Sequence, residues 1–159
     1  MKDTKTETML IQMISMALTS MCVEHGANTE DHTMFDFVDE VLGIHGIISI
    51  TEEQALSIFV IDETYECPAE STLKRLEAKV VKPKAELYIS GEDEHNVLLY
   101  YFDDVPLSET TTITSIQHIL MTAFLSVIKV RLLIENEEEI DNTLFLSETL
   151  KYRKWGDLR

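Results

Sequence analysis

The sequence predicts an α+β fold, with a helical, acidic lobe over residues 1–82 and a lobe made of a β-hairpin and a long helix over residues 83–159. Three observations predict it. Apolar residues recur at three-and-four spacing near the N-terminus and again over 113–134. Capping and stop residues punctuate the first half, and two β-forming runs flank a polar connection in the second. A chain of 159 residues buries enough apolar surface to fold without disulfide or metal staples.

Asp3 or Thr4 caps the first expected helix, Met9, Leu10, Met13, Ile14, Ala17, Leu18 and Met21 give it an apolar stripe, and Gly26 stops it. A second helix is expected from about Glu30 to Leu42, with Asn28 and Asp31 as cap and N3 residue, Met34, Phe35, Val38, Val41 and Leu42 inward, and Gly43 as its stop. Ile47 to Ile50 is a β-branched run that reads as a short strand. Thr51-Glu52-Glu53-Gln54 then fits a capping box, so a helix is expected through Phe59. Asp62 to Glu66 reads as loop. Pro68 opens a further helix with Leu73, Leu76 and Val80 inward and Lys74, Arg75 and Lys79 outward, and Pro83 ends it.

In the second half, Leu87 to Ile89 and Val97 to Phe102 are β-formers around Ser90 to Asn96, which contains Gly91, so a hairpin is expected. Ile113, Ile116, Leu120, Ala123, Val127, Val130 and Ile134 form a seam, and Leu125, Ile128, Leu132 and Leu133 a second apolar face. Such a helix is either the central core helix or half of a homodimer interface through residues 112–134. Leu144 to Leu146 reads as a last strand.

The order helix, short strand, helix, helix, hairpin resembles a winged helix. Ser71 to Val81, Ser-Thr-Leu-Lys-Arg-Leu-Glu-Ala-Lys-Val-Val, is similar to a recognition helix feeding a wing, and the long flanking helices resemble dimeric regulators of the MarR type. The resemblance covers about half the chain and implies DNA binding. The would-be wing tip, however, reads Glu92-Asp93-Glu94, where a regulator needs lysine or arginine for phosphate. A winged helix of this composition would be turned to protein contact.

Charge is the unusual property. The formal net charge is −16 from 29 acidic and 13 basic residues. Between Lys5 and Lys74 there is no lysine or arginine, yet that stretch holds thirteen carboxylates. A one-sign surface of this kind repels nucleic acid and anionic membranes and steers basic partners toward itself. Basic residues collect at Lys74, Arg75, Lys79, Lys82 and Lys84, and again around Tyr152 and Trp155 near the C-terminus.

Catalytic signatures are weak. Cys22-x-x-His25, with His32, His45 and Cys67, lacks the second half of a paired zinc motif. Tyr101-Phe102-Asp103-Asp104 is similar to the turn of reverse-transcriptase-like palms, but that motif needs a third carboxylate and a far longer chain. No Gly-rich phosphate loop and no nucleophile elbow occur. Two cysteines read as reduced thiols, and neither a signal peptide nor a spanning helix is indicated, since Ile113 to Ile134 carries Gln117, His118, Lys129 and Arg131.

The expectation is therefore a non-enzymatic, cytoplasmic inhibitor, immunity or adaptor protein, of the phage anti-host kind, with no cofactor, metal, nucleic acid or membrane. It would occupy a basic surface of a larger protein such as a nuclease, a protease or a nucleic-acid-handling enzyme. Asp36, Asp39, Glu40, Glu52 and Glu53 are the expected partner-binding residues, on outward helix faces, and Lys74, Arg75 and Lys79 form a secondary basic patch. A dimeric winged-helix regulator is the alternative, and an unrecognised enzyme the third reading.

Overall fold

The computed structural model describes residues 4–63, 70–80, 83–92 and 95–136. An N-terminal helix, α1 (Thr4–Ser20), leads into four successive strands: β1 (Glu24–Ala27), β2 (Met34–Asp39), β3 (Ile44–Ile50) and β4 (Ala55–Asp62). A short helix, α2 (Glu70–Glu77), precedes the hairpin of β5 (Ala85–Glu92) and β6 (His95–Phe102). A two-residue strand, β7 (Val105–Pro106), and the long helix α3 (Ile113–Asn136) complete the described chain. The strands make one antiparallel sheet in the order β1-β2-β3-β4-β6-β5, with β7 beside the start of β4.

The N-terminal part is thus a helix followed by strands, which corrects the expected helical lobe and removes the winged-helix order. Residues expected in a helix from Glu30 to Leu42 alternate instead, with Phe35, Phe37 and Asp39 inward and Asp36 and Val38 outward. Gly43, expected as a helix stop, takes a φ of 70° in the β2–β3 turn. The expected capping box at Thr51 closes a hairpin. Thr51 and Ala55 are joined by a backbone bond of 2.8 Å, the Thr51 hydroxyl accepts from the Ala55 amide at 3.1 Å, and Gln54 sits at a φ of 58°. A hydroxyl that satisfies a nearby amide serves a turn as well as a cap. The period of the next eight residues decides between them, and Leu56, Ile58, Val60 and Asp62 point inward at every second position. Asp62, expected in a loop, is the last residue of β4.

Both long helices stand where their periodicity puts them, with ends set by local chemistry. α1 stops before Gly26: the Val23 amide donates to the Leu18 carbonyl, the Cys22 amide to that of Thr19, and Cys22 takes a φ of 59°. This is a Schellman motif with buried Leu18 and Val23 as its apolar pair. α3 begins with a reciprocal cap, in which the Thr112 hydroxyl accepts from the Ser115 amide at 3.1 Å and the Ser115 hydroxyl from the Thr112 amide at 3.0 Å.

α1, α3 and one face of the sheet share a single core. Leu10, Ile14 and Leu18 of α1 and Met21 just after it meet Ile116, Leu120, Ala123, Val127 and Val130 of α3, with Phe37, Ile48, Leu56, Ile58, Val60, Leu98 and Tyr100 of the sheet. Phe37 stacks on Phe124 at 5.4 Å. The apolar seam of α3 is thereby buried within one chain. By length and composition alone this helix is long enough to cross a membrane, yet Arg131 near its end makes two 2.9 Å hydrogen bonds to the Asp62 carboxylate, with both side chains buried. α2 buries Leu73 and Leu76 alongside β5, and its Glu77 carboxylate accepts from the backbone amide of Leu87 at 2.8 Å. Leu144 to Leu146 and the basic-aromatic C-terminal cluster lie outside the described residues.

Candidate functional site

Every second residue of the sheet points away from α1 and α3. The strand registers set these residues in two rows, one running Asp36, Ile47, Phe59, Tyr101, Glu86 and the other Val38, His45, Ile61, Leu99, Tyr88. An antiparallel sheet packed on one side ordinarily turns polar residues to water on the other. Here the centre of that outer face is aliphatic and aromatic. Val38, Tyr88 and Tyr101 are the most exposed, at 43%, 47% and 46%, and the row from Val38 on β2 to Tyr88 on β5, apolar except for His45, crosses five strands, about 19 Å at the usual spacing.

Carboxylates rim this centre. Glu24 and Asp36 lie toward β1, Glu63 beyond the end of β4, and Glu86, Asp103 and Asp104 toward β5. Among the described open-face positions within β1 to β6, none is lysine or arginine. The exposed Lys84, one residue before β5 and in phase with Glu86, is a basic residue at this margin, its carbonyl accepting from the Asp103 amide at 2.7 Å. An apolar centre inside a predominantly acidic rim is a surface that both buries area and selects charge.

The rim is sharpest at the β5–β6 side. Phe59 and Tyr101 rings lie 4.5 Å apart, and Tyr88 stands at 86° to Tyr101 with centroids 5.4 Å apart. The Tyr88 hydroxyl donates to Glu86. That hydrogen bond, then the charge of Glu86 with a smaller contribution from Glu77, raises the Tyr88 phenol above its ordinary value of 10.0. An open cleft of about 660 Å³ is lined by Glu86, Tyr88, Leu99, Tyr101, Asp103 and Asp104.

The expected partner-binding carboxylates do not form one patch. Asp36 lies on the open face of β2, Glu40 in the β2–β3 turn, and Glu52 and Glu53 in the β3–β4 turn at the other end of β3. Those turns are about 20 Å apart at 3.3 Å per residue, beyond the screening length of about 8 Å at physiological salt. Asp39 is buried, and its Oδ1 accepts from the amides of Val41 and Leu42, so it shapes the turn. Lys74 and Arg75 are exposed on α2 and Lys79 half-buried just after it; Lys74 lies 3.7 Å from Glu77. The histidines weighed for zinc stand at separate places: His25 contacts Ser15 and the Val23 carbonyl, His32 contacts Glu7, and His45 contacts Glu63.

Sequence reasoning missed Phe59, Ile61, Leu99, Tyr88 and Tyr101 as a surface. The signal was present in Ile58-Phe59-Val60-Ile61 and Leu98-Leu99-Tyr100-Tyr101, which are apolar at both alternating sets of positions, so that burying one set leaves the other, half-buried or exposed, on the outer face. No protein-family model, no curated protein and no solved structure matches the chain.

Proposed function

We propose that this protein is a non-enzymatic acidic inhibitor, immunity or adaptor protein of the cytoplasm, and that it holds a basic surface of a larger protein against the open face of its sheet. The observation that carries the reading is the apolar centre of that face enclosed by Glu24, Asp36, Glu63, Glu86, Asp103 and Asp104. Long-range attraction between this rim and basic residues speeds encounter, while burial of Val38, Ile61, Leu99, Tyr88 and Tyr101 slows dissociation. A partner with a basic rim around an apolar patch matches both properties.

The test begins with capture from cell extract at low and high salt, and proceeds to kinetics with the purified partner. Glu24→Lys with Asp36→Lys should lower the association rate and flatten its salt dependence, and Val38→Asp should raise the dissociation rate. Unchanged kinetics in all of these variants would move the contact away from this face and refute the reading. Tight binding of duplex DNA at low ionic strength would refute it independently.

A further inference from the structure

The cleft at the β5–β6 side of the open face has a chemistry of its own. Tyr88 and Tyr101 meet edge to face at 86°, with Phe59 against Tyr101 at 4.5 Å, and each tyrosine remains close to half exposed at this corner. Glu86, Asp103 and Asp104 supply carboxylates to the same cleft of about 660 Å³, and Leu99 its apolar floor. The Tyr88 hydroxyl donates to Glu86, which fixes the ring relative to that carboxylate.

We infer that this corner is a cation subsite that takes an arginine side chain of the partner, the guanidinium lying against the tyrosine rings and bonding to the carboxylates. The inference rests on the proposed protein-binding role of the open face and specifies what that face recognises. Aromatic faces attract cations through their quadrupole, and a planar guanidinium both stacks on a ring and offers a fork of donors to a carboxylate. An ammonium satisfies only the charge. The volume exceeds that of one side chain, so flanking apolar residues of the same segment have room against Leu99.

The probe is an acetylated hexapeptide of alternating leucine and arginine, compared with its lysine and citrulline counterparts by calorimetry and by tyrosine-ring NMR. The arginine peptide should bind tightest and shift the Tyr88 and Tyr101 resonances. The lysine peptide should be weaker, and the citrulline peptide at least about tenfold weaker because the charge is gone. Tyr88→Leu should weaken the arginine peptide about two- to fivefold, as loss of one exposed cation–π contact requires, while Glu109→Gln on a remote turn should change nothing. Equal binding of the citrulline peptide overturns the subsite. Binding that survives Tyr88→Leu and Tyr101→Leu but falls with Glu24→Lys and Asp36→Lys also overturns it, and leaves the wider acidic face standing. Absence of binding by all three peptides overturns the subsite, and partner kinetics then decide the wider reading separately.

Discussion

Replacing Arg131 with methionine tests whether α3 is held to the sheet by a buried ion pair. Arg131 is 4% exposed and Asp62 is not exposed at all, and the guanidinium reaches both carboxylate oxygens at 2.9 Å. Arg131→Met keeps most of the apolar stem and removes a bidentate counter-charge from a carboxylate that water does not reach. Breaking such a pair from one side costs about 3–5 kcal/mol, against about 0–1 kcal/mol for an exposed pair. A domain of this size is stable by about 5–15 kcal/mol, so the loss should be evident in a urea unfolding curve as a lower midpoint with an unchanged slope. The double variant Asp62→Leu with Arg131→Met removes both charges and should recover most of the loss, because paired burial gains little over apolar packing. A single-variant cost below about 1 kcal/mol would place the pair in the class of exposed contacts and refute the reasoning.

Gly46→Ala should be among the most damaging small substitutions, since its Cβ would meet the Phe59 carbonyl oxygen at 2.0 Å, a backbone obstacle that cannot rotate away. The cost should reach or exceed the upper end of the usual range of about 1–3 kcal/mol for overpacking. Gly26→Ala, with nothing within 4 Å, should be tolerated, and a comparison of urea midpoints checks both. Tyr88 should titrate above 10.0 in an ultraviolet phenolate titration, and Glu86→Gln should bring it back toward that value. Because the folded value lies above the unfolded one, the contribution of this contact to stability is complete below the unfolded value. It is lost as pH rises through the folded one.

The parts of the fold legible in the sequence are those whose pattern admits one period. Met9 to Met21 and Ile113 to Ile134 repeat at three and four, and both are helices; Leu87 to Ile89 and Val97 to Phe102 lie in the paired β5 and β6. β2 and β4 are obscured because their flanking residues have two uses. Thr51, Gln54 and Gly43 stand at hairpin turns here, and the same residue types start and stop helices. Met34, Val38, Val41 and Leu42 also match a helical face by accident, while the alternation Phe35, Phe37, Asp39 carries the true period. The candidate site is hidden for a related reason. A helical reading turns Asp36 and Asp39 outward together, but on a strand they fall one residue out of phase, so one rims the open face and the other shapes a turn.

The Glu77 carboxylate that meets the Leu87 amide gives the sheet a handed boundary. A terminal strand normally offers its unpaired amides to any passing extended chain, which is the first step toward uncontrolled strand-on-strand growth. α2 places an acceptor against one of those amides on β5, so a visiting strand must displace a charged side chain before it can pair there. At the opposite margin stands β1, only four residues long from Glu24 to Ala27, too short to template an extended stack. The two margins of the sheet therefore differ: one amide of β5 is already taken by a charged side chain, and β1 offers only four residues for pairing.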